Sequence, residues 1–150
     1  MYKAKFLGMA LLILAVATDV SGQGFRVYPA ATRFTPPDTE RTREAMKALP
    51  PDTEASYYLT NDAFEKVVAF YKGIGKEYTM PYAKKGAKLP NGQELKEAYF
   101  IFDGAKDIVS SKSWAKVQRP YIGWVEFKPG SVPQYQDVRD VTAIVASQKK

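Results

Sequence analysis

Two residue types that carry much of enzyme chemistry are missing from this chain, which contains no histidine and no cysteine in its 150 residues. A Ser-His-Asp or Cys-His nucleophile system therefore cannot form. The same absence excludes an ordinary zinc site, a thiolate redox centre and a haem held by His or Cys. We expect no cofactor and no metal site, whereas carboxylate, lysine, serine and tyrosine chemistry remain open.

One spacing suits nucleophilic catalysis. Ser113 and Lys116 are spaced as in Ser-x-x-Lys, and on a helix this spacing lets the lysine amine deprotonate the serine hydroxyl, as in penicillin-recognising acyl transferases. The partner motifs Ser-x-Asn and Lys-Thr-Gly are absent, and a chain rich in Ser and Lys is expected to contain such a match by chance. The pair supports only an alternative hypothesis, a small hydrolase.

Paired carboxylates are the other candidates for catalysis, because two neighbouring carboxyl groups can share general acid and base work. Each pair lies among polar residues, where solvated surface acids normally occur, and nothing local predicts a raised pKa. A weak cation site at Asp137 and Asp140 is left open, although no EF-hand-like spacing is present. We predict no catalytic residue. The pairs are Glu94 with Glu97, Asp103 with Asp107, and Asp137 with Asp140.

Basic residues form three clusters in a chain whose formal net charge is +6 at pH 7. If the first two pack together, they form a cationic patch edged by aromatic rings that could hold an anionic polymer, a lipid headgroup or an acidic partner protein. The alternative is an ordinary solvated face. The clusters are Lys84-Lys85-Lys88, Lys106-Lys112-Lys116-Arg119 and Lys149-Lys150. The predicted ligand-binding residues are Lys112, Trp114, Lys116, Arg119 and Tyr121.

Aromatic residues offer a second kind of site. They could line a ligand cleft between a sheet and a helix, or they could simply fill the core. The residues concerned are Tyr57, Tyr58, Tyr78, Tyr82, Trp114, Tyr121 and Trp124.

Residues 1–22 resemble a cleavable signal peptide. Lys3 and Lys5 precede an uncharged apolar run of 12 residues, Phe6 to Ala17, which is short of the roughly 20 residues of a membrane span but typical of a signal-peptide core. We predict cleavage after Gly22, with an uncleaved anchor as the alternative. Without cysteine the chain cannot be a lipoprotein. The expectation is a periplasmic or secreted protein, in which nucleic acid is a poor partner for the positive charge.

The remaining residues, 23–150, are expected to form one soluble domain with no transmembrane span. Apolar residues at helical spacing, with Asp62 and Glu65 as a capping box, predict a main helix at about 62–78. Thr35 as a cap and Pro50 as a breaker predict a shorter helix at about 37–49. Strands are expected at 55–60, 95–102, 121–127 and 139–147, with 105–118 ambiguous and 131–137 a loop. The predicted fold is α+β, with both helices packed on an antiparallel or mixed sheet of about four strands.

Residues 57–72, YYLTNDAFEKVVAFYK, resemble a pattern found in small exported bacterial proteins. An upstream Tyr-Pro-Ala-Ala at 28–31 and a late Asp-Val-Thr-x-Ile at 140–144 accompany it. The resemblance implies an exported α+β protein and brings no activity and no site residues with it. The leading expectation is therefore a non-enzymatic binding or interaction domain whose ligand the sequence does not identify, with an anionic envelope component as one candidate. The alternatives are the small hydrolase and an accessory subunit, whose sign would be a large exposed apolar patch.

Overall fold

β-strands dominate the described part of the chain. The structure, a computed structural model, describes residues 24–150, so the predicted signal peptide and its cleavage site lie outside the described residues. In chain order the elements are β1 (Thr32–Phe34), α1 (Glu40–Lys47), β2 (Thr53–Thr60), α2 (Phe64–Lys72), β3 (Lys76–Tyr78), β4 (Lys96–Ile101), β5 (Ser113–Arg119), β6 (Tyr121–Glu126), β7 (Gln134–Arg139) and β8 (Thr142–Lys149). Within residues 24–150 no helix is both long enough and apolar enough to cross a bilayer.

Six strands form one sheet in the order β1-β2-β8-β5-β4-β3, and β6 and β7 form a separate hairpin. Every pairing is antiparallel. The last strand, β8, lies in the middle of the sheet, where Ile144 is opposite Tyr58 on one side and Val117 on the other. Because the C-terminal strand inserts between two earlier ones, the sheet is completed only by the end of the chain.

The predicted α+β fold with about four strands is wrong. Residues 24–150 form eight strands, and the two helices in this range contain only 8 and 9 residues. The ambiguous segment 105–118 supplies β5, and most of the predicted loop 131–137 belongs to β7. Strand β7 was not predicted because its sequence, QYQDVR, is polar and none of its residues is buried. Its stability comes from pairing with β6, which is a long-range contact.

The main helix is shorter than predicted. It ends at Lys72 with Gly73 as its C-cap, and the predicted last turn, residues 76–78, instead pairs with β4. The change of direction requires a glycine at position 75, since a Cβ there would lie 2.7 Å from the Phe102 ring. The predicted capping box is also absent. Ala63 is the N-cap and makes no side-chain cap.

The shorter helix begins later than predicted. Its N-cap is Thr39 rather than Thr35, and Thr39 and Thr42 cap each other in a reciprocal capping box. None of its residues is buried. A helix of 8 residues gains little from its own hydrogen bonds, so α1 is held mainly by its cap and by contacts with other elements.

The core lies between one face of the six-stranded sheet and α2. Val67, Val68 and Tyr71 of α2 are buried against it, as the helical periodicity of the sequence predicts. The sheet contributes small and apolar side chains from its central strands, and the N-terminal segment closes the edge of the core with aromatic rings. The remaining core residues are Tyr28, Ala98, Phe100, Phe102, Ala115, Val117 and Ile144.

Candidate binding groove

The second face of the six-stranded sheet carries a different set of side chains. Successive residues of a strand point to opposite faces, so Tyr57, Lys116 and Val145 lie on the face away from α2. Together with Leu59, Tyr121 and neighbouring residues they line a small hollow of about 200 Å³. This face is therefore only partly covered by the rest of the chain.

A larger groove adjoins this hollow. It has a volume of about 650 Å³ and lies between the sheet, the segment entering α1, α1 itself and strand β6. Its apolar lining includes Met46, Tyr57, Ile122, Trp124 and Phe127. The groove and the hollow share Tyr57, Tyr121 and Ile122, so they form one continuous depression. Its volume falls in the range of small-molecule sites, roughly 300–1,000 Å³.

The wall formed by the hairpin is fixed by an arginine between two rings. The Arg139 guanidinium lies 5.4 Å from the ring centres of both Phe34 and Tyr121. Asp137 holds it from the other side, with 2.9 Å between Arg139 Nε and Asp137 Oδ1. This hydrogen bond raises the pKa of Arg139. Burial raises the pKa of the Tyr121 hydroxyl, so Tyr121 is neutral at ordinary pH. The cation–π contacts of Arg139 with the rings of Phe34 and Tyr121 anchor the hairpin.

Cationic side chains of α1 line part of the groove. The Arg41 guanidinium donates a hydrogen bond to the Val125 carbonyl oxygen of the hairpin, which links the two walls. Arg43 Nε lies 3.1 Å from Asp38 Oδ1 in an exposed ion pair. Lys47 also lines the groove, and it has no carboxylate partner within 4.0 Å in residues 24–150. Since Asp38 is the lining's one acidic residue, the groove is apolar inside and positive at its edge.

Part of the predicted cationic patch lies beside this groove. Lys116 and Tyr121 line the small hollow. Lys116 Nζ pairs with Glu97 at 2.9 Å and lies 5.8 Å from the centre of the Tyr99 ring. Trp114 lies on the same face, with its ring centre 6.4 Å from that of Tyr99. Lys112 is exposed just before β5, at the far end of the strand from Tyr121, so the patch is not one compact cluster.

Arg119 lies away from this face. Its guanidinium donates to the carbonyl oxygens of Asp62 (3.1 Å) and Asp140 (2.9 Å), and its Nε donates to Asp140 Oδ1 at 3.1 Å. It also donates to Thr142 Oγ1 at 3.1 Å and, more weakly, to the Asn61 carbonyl at 3.4 Å. An arginine has five N–H donors. These contacts occupy the guanidinium with the turns that precede α2 and β8, leaving it little capacity for a ligand.

The Ser113–Lys116 pair is not assembled for catalysis. Both residues belong to β5, and positions three apart on a strand face opposite sides of the sheet. Ser113 Oγ is buried and has no hydrogen-bond partner in residues 24–150, while Lys116 is paired with Glu97. The Ser-x-x-Lys spacing brings the hydroxyl and the amine together on a helix, whereas on strand β5 it separates Ser113 from Lys116.

Hydrogen bonds from neighbouring residues engage both members of the Asp103–Asp107 pair. Burial raises the pKa of the Asp103 carboxyl, but hydrogen bonds from Lys112 N, Ser111 Oγ and Ala105 N outweigh it, so that pKa is lowered overall. Hydrogen bonds from the Ser110 side chain and backbone lower the pKa of Asp107. A carboxyl with a lowered pKa is ionised at neutral pH and cannot serve as a general acid. No group of three potential metal ligands occurs among the described residues.

Sequence reasoning missed the α1 wall of the groove. Arg41, Met46 and Lys47 lie in a segment whose composition is that of an ordinary surface helix, and only the tertiary structure places them in one groove with Tyr57 and Trp124. Trp124 was among the aromatic candidates for a cleft. The available sequence signal was Met46, an apolar residue in an otherwise polar helix, which remains 49% exposed.

Comparisons with known proteins give a single partial similarity. The chain is 35% identical over 78 residues to a protein of Syntrophus aciditrophicus (strain SB) named N-(5'-phosphoribosyl)anthranilate isomerase. The match covers 50% of this chain and 33% of that protein, so the chain spans about one third of the relative's length. No family model matches the chain. No solved structure matches it either.

Proposed function

We propose that this protein is a non-enzymatic, exported binding domain that takes an anionic amphiphile, such as a single-chain carboxylate lipid, into the groove between α1 and the β6–β7 hairpin. The observation that carries the proposal is the pairing of an apolar groove of about 650 Å³ with cations at its edge. Export rests on the N-terminal sequence pattern, residues 1–22.

The apolar part of the groove accounts for the alkyl chain of the ligand. Met46 and Phe127 line the groove and are 49% and 68% exposed, so they remain in contact with water in the free protein. Burying each CH₂ of a ligand contributes about 0.8 kcal/mol. An alkyl chain lying between Met46, Trp124 and Phe127 would remove apolar surface from water on both partners.

The cations account for the charge of the head group. Arg41 uses one hydrogen bond to the Val125 carbonyl, which leaves other N–H donors of its guanidinium for an anion. Lys47 carries no ion pair in the part of the chain that the structure describes. A carboxylate or phosphate head at the edge of the groove would be attracted to both groups while its alkyl chain occupies the apolar interior.

Two of the candidate pairs give the small-hydrolase alternative no support, because Ser113 and Lys116 lie on opposite faces of β5 and hydrogen bonds lower the pKa values of Asp103 and Asp107. A binding function needs no such pair.

The proposal is tested by titrating the protein with dodecanoate and dodecanol and following intrinsic tryptophan fluorescence. The carboxylate should bind saturably and several-fold more tightly than the alcohol. Shortening the carboxylate should weaken binding about fourfold per CH₂ removed, since each contributes about 0.8 kcal/mol. Affinities that depend neither on the head group nor on the chain length of the ligand would refute the proposal.

Matched charge variants locate the head group. Lys47→Gln should weaken dodecanoate binding up to about fivefold, because an exposed charge pair contributes up to about 1 kcal/mol, and should leave dodecanol binding unchanged. The control is Lys106→Gln, which removes the same charge from an exposed position outside the groove. An equal loss of affinity in the control would show that only the net charge of the protein matters.

A further inference from the structure

Two loops leave the six-stranded sheet at the same end. Strand β4 begins at Lys96, opposite Arg119, where β5 ends. The loop 79–95 that precedes β4 and the hairpin that follows β5 therefore leave the sheet at one end. The segments 89–91 and 131–133 of these two loops line a common hollow of about 480 Å³. We call residues 79–95 and 127–133 together the loop end.

Apolar side chains at the loop end are left in water. Phe127 is 68% exposed and Val132 is 72% exposed, on either side of a turn closed by a hydrogen bond from Ser131 N to the Lys128 carbonyl, 3.0 Å long. Tyr82 in the other loop is 94% exposed. Exposed apolar side chains in two loops that share a hollow are candidates for an interaction surface.

The same end is strongly basic. Lys84, Lys85, Lys88 and Lys128 are exposed, and in residues 24–150 none has a carboxylate within the 4.0 Å of an ion pair. Glu94 is the one acidic residue in the two segments. The opposite end of the sheet is different, because Lys106 and Lys112 share their loop with Asp103 and Asp107 and the charges there balance.

We propose that the loop end docks on an anionic lipid bilayer, with Val132 inserted among the headgroups and the four lysines against the lipid phosphates. Aromatic rings such as that of Tyr82 favour the interface between water and membrane, and juxtaposed lysines are attracted to anionic lipid. Together the two contributions make the two-part signal that stable surface binding requires. The proposal does not depend on the groove having a ligand.

The test is flotation with vesicles of pure phosphatidylcholine or of an equimolar mixture with phosphatidylglycerol. The protein is recovered from the cell envelope, so that any removal of its N-terminal segment has already taken place. The test variant combines Val132→Ser with Lys84→Gln and Lys85→Gln. The control makes the same three exchanges at the opposite end, Val109→Ser with Lys106→Gln and Lys112→Gln, because Val109 is likewise exposed, at 97%.

The protein should float with the mixed vesicles and not with pure phosphatidylcholine, and salt should release it. The test variant should lose at least tenfold in vesicle affinity, since each lysine removed is worth about fivefold, while the control keeps the affinity of the parent protein. Equal losses in both variants, equal binding to both vesicle types or binding to neither would overturn the proposal. Dodecanoate affinity should be unchanged in the test variant, so the two proposals fail separately.

Discussion

Replacement of Arg119 separates a structural role from a binding role. Arg119 was predicted from the sequence to contact a ligand, yet its guanidinium donates to the Asp62 and Asp140 carbonyls, to the Thr142 hydroxyl and to the Asp140 carboxylate. We predict that Arg119→Ala destabilises the protein and leaves dodecanoate binding at its parent value. Arg119→Lys should destabilise it less, because one ammonium group can replace some of these hydrogen bonds.

The magnitude follows from the number and kind of hydrogen bonds. A hydrogen bond to a charged group is worth about 1.5–3 kcal/mol, and losses within one network are not additive. The Arg119 side chain is 23% exposed, so water can reach part of the site after the change. We therefore expect Arg119→Ala to lower the free energy of unfolding by about 2–4 kcal/mol. At about 4 °C per kcal/mol for a domain of this size, the Tm should fall by roughly 8–16 °C.

The assay is thermal and urea unfolding followed by circular dichroism, with Arg33→Ala as the matched control. Arg33 is exposed on the edge strand β1, and its loss should change the free energy of unfolding by no more than about 0.5 kcal/mol. The reasoning is refuted if Arg119→Ala unfolds with the Tm of the parent protein. It is also refuted if the variant keeps its stability but no longer binds dodecanoate.

Two further substitutions test the packing and the pH dependence of the fold. Gly75→Ala should lower the free energy of unfolding by about 1–3 kcal/mol, because its Cβ would lie 2.7 Å from the Phe102 ring. Gly73→Ala is the control in the same denaturation series and should be less destabilising, because its Cβ would lie 3.3 Å from the Phe70 carbonyl oxygen. Hydrogen bonds from Tyr28, at 2.5 Å, and from Lys66 lower the pKa of Asp62 below its ordinary value of 3.8. The folded state therefore gains stability from the Asp62 carboxylate above pH 3.8 and loses it as the pH falls through the lowered pKa. Acid titration of Asp62→Asn should show a shallower loss of stability below pH 4 than the parent protein, and an identical profile would contradict this assignment.

The sequence predicted best those elements whose residues signal their environment locally. The apolar face of residues 64–74 packs on the sheet as its periodicity indicates. Asn91-Gly92 forms the predicted turn, with Gly92 at φ 85° and its N–H donating to the Leu89 carbonyl. The alternating and β-branched residues near 55–60 and 142–147 form β2 and β8. In each case the local pattern and the tertiary contacts favour the same structure.

The remaining features depend on contacts between distant parts of the chain. Strand β7 has polar residues and a left-handed Asp137 at φ 51°, so its own sequence gives little indication of a strand. Pairing with β6 and the contacts of Arg139 with Phe34 and Tyr121 hold it in place. The groove exists because α1 lies opposite the β6–β7 hairpin, to which Arg41 donates a hydrogen bond, and no short pattern in residues 40–47 indicates this. The predicted patch grouped Arg119 with Lys112 and Lys116 by their nearness in sequence. The register of β5 with its neighbours places Arg119 on the opposite face of the sheet from Lys116.

The two tryptophans allow a direct test of the proposed groove. Trp124 lines the groove, whereas Trp114 lies farther along the sheet beside Tyr99. In ¹H–¹⁵N spectra recorded during a dodecanoate titration, we predict that the Trp124 indole N–H signal shifts saturably while the Trp114 signal stays in place. A saturable shift of Trp114 alone would place the ligand on the cationic patch, and no shift of either indole would contradict the binding function.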